Sequence, residues 1–192
     1  MVKCENRESG VYLSSRQKEL LELLDKSGAD LFALLTRLTL REDVAEELMQ
    51  ELFIKLNNSR FVGCVANLKA YARKSAINLA FDWRRRQKRT VLAVGQVVEP
   101  ASNDDSPLGK LIRTEEMQQT LDAVGRLRKS SREVIVMRYL QQESYENIAE
   151  QLGKTSHHVR ALCSRAIRNL RDVLGTNEQK PSKKEIHNVA NR

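Results

Sequence analysis

Little in this chain could staple it, kink it or carry it across a membrane. Its three cysteines, Cys4, Cys64 and Cys163, are odd in number and far apart, which excludes a disulfide scaffold. Three prolines and eight glycines in 192 residues are too few for the turns of a sandwich or barrel, so the composition favours helices. Aromatic residues make up 5%, so any core must be built mainly from aliphatic side chains. No stretch approaches the ~20 apolar residues of a membrane span, and no membrane insertion is expected. Met1–Gly10 carries no apolar core of the signal-peptide kind, so the expected location is the reducing cytoplasm. Charge is abundant instead. Lys and Arg number 33 against 25 Asp and Glu, and the net charge of +8 favours a polyanionic partner, nucleic acid above all.

Apolar periodicity outlines the elements. Ser14 or Ser15 can cap a helix through Leu20, Leu21, Leu23 and Leu24 that should stop near Gly28. Leu31, Leu34, Leu35 and Leu38 then follow the i, i+3, i+4, i+7 spacing of a second helix. A third, from about Asp43 to Leu56, pairs an apolar set (Leu48, Leu52, Phe53, Leu56) with an acidic one (Asp43, Glu46, Glu47, Glu51). Residues 57–64 read as a loop. From about Asn67 a long helix carries Leu68, Ala72, Ser75, Ala76, Leu79 and Trp83 down one side and ends in the basic run Arg84–Arg89.

Composition shifts at residues 90–111, where Pro100, Pro107 and Gly109 bracket small polar and acidic residues, as in an open linker. Helical patterning resumes near Leu111 and lasts to Leu174. The expectation is an all-α chain of two small helical domains: an N-terminal segment 1–13, a first domain 14–89, the linker 90–111, a second domain 112–175 and a polar tail 176–192.

The sharpest local pattern is a helix-turn-helix between Ser144 and Leu174. Ser144 can cap a short helix over Tyr145–Leu152, Ala149 is small enough for a second helix to cross closely, and Gly153 suits a left-handed turn. Ser156 is expected to cap the next helix, whose stripe of Val159, Leu162, Ala166, Ile167 and Leu170 is apolar. His157, His158, Arg160, Ser164, Arg165, Arg168 and Arg171 fill the remaining surface, a polar and basic face suited to the DNA major groove. The bland alternative is a helical hairpin with a solvated basic face. If the helix does bind DNA, His157, His158, Arg160 and Ser164 lie nearest the bases, and the later arginines meet phosphates.

Five cations in the six positions Arg84–Arg89 exceed what a helix dipole needs and favour a phosphate clamp. The acids of the third helix, next to Gln50, are either a solvated face or a docking surface for a protein, and sequence arithmetic does not separate the two.

Taken together these segments resemble a known family. Asp43-Val44-Ala45-Glu46-Glu47-Leu48-Met49-Gln50-Glu51-Leu52-Phe53 resembles the signature helix of region 2 in bacterial RNA polymerase sigma factors. Asn67–Arg73 with Ala76–Arg85 is similar to the helix of that region that melts promoters and reads the −10 element, and Ser144–Leu170 to the region 4 helix-turn-helix that reads the −35 element. With two domains on a short linker, the chain resembles the extracytoplasmic-function (ECF, group IV) sigma factors.

The resemblance implies a sigma factor that binds core RNA polymerase, directs promoter-specific initiation and aids strand opening. Asp43, Glu46, Glu47, Gln50, Glu51 and Phe53 would dock on the β′ clamp helices, with the β flap as a further contact. Residues 58–66, with Ser59, Arg60 and Phe61, would pocket a flipped base. Asn67, Lys69, Tyr71, Lys74, Asn78, Trp83, Arg84, Arg85 and Arg86 would complete the −10 interface. Ser156, His157, His158, Arg160, Ser164, Arg165 and Arg168 would face the −35 element. The resemblance also implies promoter DNA and an anti-sigma factor as partners. The chain departs from the family pattern at Leu68-Lys69-Ala70-Tyr71, where an aromatic residue often precedes the −10 helix, and at His157-His158, which replaces a Gly-Thr type of start.

The competing reading is a stand-alone helix-turn-helix regulator that binds duplex DNA without polymerase; it leaves the acidic helix and Arg84–Arg89 unexplained. No enzyme and no cofactor is expected: the chain has no P-loop, zincin or nucleophile motif. His157, His158 and Cys163 do not converge as zinc ligands, because adjacent histidines on a helix point apart.

Overall fold

The computed structural model describes residues 15–58, 67–94 and 107–178, and all regular structure among them is helical. Helices α1 (Ser15–Thr39), α2 (Glu42–Asn58) and α3 (Leu68–Val94) pack on one another. The second group is α4 (Pro107–Arg126), α5 (Lys129–Ile135, continued by a π-helical turn over Val136–Leu140), α6 (Tyr145–Leu152) and α7 (Ser156–Glu178). Among the described residues, no helix is long and apolar enough to cross a membrane.

α1 corrects the expected break at Gly28: the helix runs straight through it. A glycine inside a helix costs about 1 kcal/mol relative to alanine. The leucines on either side outweigh that cost, since Leu20, Leu23, Leu31, Leu34, Leu35 and Leu38 are all buried and each contributes roughly 1.5–3 kcal/mol. Ser15 opens the helix rather than capping it, and Ser14 lies outside the described residues. α2 buries Val44, Ala45, Leu48, Leu52 and Leu56 on one face, which leaves its acids on the other.

α3 is the central element. Asn67 caps it, its Oδ1 accepting from the Ala70 amide at 2.9 Å. Ala72, Ala76 and Ala80, at successive i, i+4 positions, have no exposed surface and let neighbouring helices approach closely. The sequence pattern expects one buried side, yet Arg73, Ile77, Asn78, Phe81 and Arg84 are buried as well. A helix that buries residues beyond one stripe has partners on more than one side. Here α1 and α2 flank it on one side and α4, α5 and α6 on the other, so the buried apolar residues of both helical groups form a single cluster. The expected linker is also shorter in backbone terms, since α3 continues past Arg89 to Val94 and α4 starts at Pro107, a residue well suited to a first turn. α7 likewise runs past the expected start of the tail, to Glu178.

The helix-turn-helix forms with α6 at the expected bounds. Ser144 Oγ accepts from the Asn147 amide at 3.0 Å, and Gly153 adopts φ 61°, ψ 41°. The cap of α7 is a correction: Thr155 holds it, its Oγ1 accepting from the His158 amide at 3.2 Å, one residue before the expected Ser156.

Two glycine substitutions should therefore move stability in opposite directions. A Cβ at Gly28 meets nothing within 4 Å, so Gly28→Ala should stabilise by about 0.5–1 kcal/mol. Gly153→Ala, placed at a positive φ, should destabilise by about 1 kcal/mol or more. Urea unfolding reads both as opposite shifts of the midpoint at unchanged slope.

Candidate nucleic-acid interface

The polar and basic face of α7 stands open. His157, His158, Arg160, Ser164, Arg165 and Arg168 are exposed, and Ser156 is half-buried, while Val159, Cys163 and Ala166 are buried beneath them. Arg160 is held in place: its Nη2 donates to Glu146 Oε1 at 2.7 Å and its guanidinium lies 5.6 Å from the Tyr145 ring centroid. Cys163 is 1% exposed and accepts from the Tyr145 hydroxyl at 3.9 Å, so it points inward while the two histidines point to solvent.

The acidic face of α2 is also free. Glu46, Glu47, Gln50 and Glu51 are exposed, and Asp43 is tied to Arg41. That hydrogen bond holds the Asp43 carboxyl below the usual carboxylate range. Glu51 reaches Arg86 at 3.8 Å. Phe53 is half-buried against the core, beside Ile54, which is 57% exposed.

The residues expected at the −10 element divide into four groups. Ser59, Arg60, Phe61 and the rest of the 58–66 loop beyond Asn58 lie outside the described residues. Arg85, Arg86, Lys88 and Arg89 are exposed and line a shallow recess with Asp82, while Lys69 is exposed and 3.9 Å from Asp30. Tyr71 and Trp83 pack partly buried on the core. Asn78 and Arg84, each 8% exposed, are interior groups in this structure.

What buries them is the second helical group. Arg84 Nη2 donates to the Gln118 carbonyl at 3.2 Å, to Gln118 Oε1 at 2.7 Å and to Asp122 Oδ1 at 2.9 Å. Its Nη1 donates to the Leu38 carbonyl at 3.3 Å. Asp122 Oδ2 accepts from Lys88 Nζ at 2.9 Å. Asn78 donates to Glu133 Oε1 at 3.1 Å and accepts from Arg132 Nη2 at 3.0 Å, and Lys74 stands 3.9 Å from Glu133. Arg73 Nη1 donates to Glu143 Oε1 at 2.8 Å and Gln151 Oε1 at 2.6 Å. The chain just after the π-helical turn positions the last of these: Gln142, two residues beyond Leu140, has φ 55° and turns the backbone at Glu143, and the Leu140 carbonyl accepts from Arg37 of α1 at 3.2 Å.

The ionisation of these groups follows from their surroundings. Burial pulls the Arg84 guanidinium below its ordinary value, against the pull of Asp122. Burial pushes the Asp122 carboxyl up, but hydrogen bonds from Lys88 and Arg84 outweigh it, and the net shift is downward. Glu143 shows the same balance, with burial opposed by hydrogen bonds from Asn147 and Arg73, and also ends lowered. Asp122 and Glu143 therefore carry their negative charge at neutral pH.

Sequence reasoning missed Arg73, Gln118, Asp122, Arg132, Glu133, Glu143 and Gln151 as members of a network with α3. Arg132 and Glu133 are each buried, at 4% and 3% exposure, but a charged pair on a short helix reads in sequence as a solvated one.

Known proteins resemble the chain at the level of family models and of solved structures. Residues 23–90 match the family model "Sigma-70 region 2" and residues 123–172 match "Sigma-70, region 4". No curated protein matches the chain. Among solved structures, the sigma factor RpoE of Bartonella quintana, crystallised with the anti-sigma factor NepR, is 25% identical at a TM-score of 0.46, over 84% of this chain and 97% of that one. CnrH, solved in complex with the cytosolic domain of CnrY, is 17% identical at a TM-score of 0.48, over 85% of this chain and 92% of that one. The two region matches stand in family order, the first over α1–α3 and the second over α4–α7, and together they span most of the chain. The chain belongs to the sigma-70 family of transcription initiation factors.

Proposed function

We propose that this protein is an ECF-type sigma factor that binds core RNA polymerase, reads −35 and −10 elements and aids strand opening, without enzymatic activity or cofactor of its own. The ordered pair of region matches carries this reading. In it, the exposed acids of α2 with Phe53 dock on the β′ clamp helices, and the β flap meets the second domain. The polar and basic face of α7 lies in the major groove at −35. The 58–66 loop and α3 take the −10 strand, with Asn67, Lys69, Tyr71, Lys74, Asn78, Trp83, Arg84, Arg85 and Arg86 contributing. Base flipping here serves recognition: unstacking costs a few kcal/mol, offset by pocket contacts and by cations along the strand. Work beside the polymerase places the protein in the cytoplasm, and an anti-sigma factor is its proposed inhibitor.

Binding to sigma-free bacterial core polymerase tests this directly. The wild type should bind tightly, and Glu46→Arg/Gln50→Ala should lose binding while retaining its helical content. Specific duplex binding by the protein alone, with no affinity for core, would replace this reading with that of a stand-alone regulator.

The two classes of α7 side chain should also separate in the assembled holoenzyme. Arg160→Ala should cost about 1–3 kcal/mol on the preferred −35 sequence and relax selectivity at one base pair. Arg168→Ala should weaken all sequences alike and reduce the salt slope of binding by about 1. Equal losses for both variants on every sequence would assign both arginines to the backbone.

A further inference from the structure

One arginine of the basic α7 face is already engaged, and its partner lies on the other helix of the helix-turn-helix. Arg160 Nη2 donates to Glu146 Oε1 at 2.7 Å, across the turn between α6 and α7. The same guanidinium stands over the Tyr145 ring, 5.6 Å from its centroid. That ring is itself held: its hydroxyl donates to the buried Cys163 at 3.9 Å, and the Arg138 guanidinium stands 4.7 Å from its centroid. Arg138 is fixed in turn, its Nη1 donating to the Glu143 carbonyl at 2.8 Å.

Stability does not account for the pair. The Arg160 and Glu146 side chains are 58% and 61% exposed, and exposed ion pairs add little to folding. An acid in the first turn of α6 complements the helix dipole, but the dipole does not require a bond to α7. What the bond does is restrict a long side chain that otherwise samples many rotamers.

We propose that Glu146 is a positioning residue for DNA readout, holding the Arg160 guanidinium for two parallel hydrogen bonds to O6 and N7 of a guanine in the duplex. The proposal rests on the assignment of α7 to the −35 element. A guanidinium has more N–H donors than the bond to Glu146 uses, and it has no acceptor. In the major groove guanine offers two adjacent acceptors, whereas adenine sets a donor beside its acceptor and thymine a methyl group. An untethered arginine also reaches phosphates, which are alike at every sequence. The tether therefore acts on selectivity: it withholds Arg160 from the backbone and lowers the ordering cost of meeting a base.

The test uses holoenzyme assembled from the full chain and bacterial core, with duplex promoter fragments randomised over the upstream element. Binding of the wild type to core, measured first, tests the sigma-factor reading by itself; its failure contradicts that reading and takes this proposal with it. Arg160→Ala identifies the base pair that depends on Arg160, and guanine should be preferred there. Glu146→Ala should lower that preference about fivefold, and should steepen the salt slope of binding by about 1 as Arg160 turns to phosphate. Glu146→Gln, which loses the charge but keeps an acceptor oxygen, should hold the preference within about twofold of wild type and leave the salt slope unchanged. A preference unchanged in Glu146→Ala overturns the proposal, as does a preferred base other than guanine or an Arg160→Ala variant that alters no base pair. Equal losses in Glu146→Ala and Glu146→Gln assign the effect to charge alone and overturn positioning as well. In each of these cases the holoenzyme still selects promoters, and the sigma-factor reading stands.

Discussion

One buried guanidinium ties this molecule together. Arg84 needs acceptors wherever it is taken out of water, and from α3 it finds them on two other helices: the Leu38 carbonyl of α1, and Gln118 and Asp122 of α4. A buried charge tolerates little displacement, so this residue sets where the end of α1 and the middle of α4 lie against α3. The alanine stripe of α3 permits the close approach on one side, and Phe81, Asn78 and Arg73 extend the contact along the helix on the other. The single continuous core follows from that arrangement.

The distribution of charge over the surface acquires its sense from the same helix. Glu46, Glu47 and Gln50 of α2 and most of the basic face of α7 are exposed, while Arg73, Asn78 and Arg84 of α3 are spent inside the molecule. On the proposed reading the first two faces meet a protein partner and a DNA duplex, and α3 meets an open strand.

Much of this was legible in the sequence wherever the cause was local. The bounds of α6, the cap at Ser144 and the left-handed Gly153 follow from residues a few positions apart, and the structure has all three. The acid face of α2 follows from helical spacing alone. Gly28 misled because its local cost is smaller than the leucine burial on either side of it, and Ser156 misled because Thr155 offers an equivalent hydroxyl one residue earlier. Asn78 and Arg84 were read as polar groups for DNA, and nothing nearby signals otherwise. Their partners lie 34 to 55 positions away, and those of Arg73 lie 70 and 78 away, separations that no periodicity connects. Family resemblance did not reveal them either, because it describes each region separately.

The central claim is that this chain gives core polymerase its choice of promoter. Mapping of transcript 5′ ends made by sigma-free core on genomic fragments, with and without the protein, tests it most directly. The account predicts a set of starts that require the protein and share two upstream elements at constant spacing, one matched to each helical domain. The same starts with and without the protein, in a reaction where core is active, would contradict it.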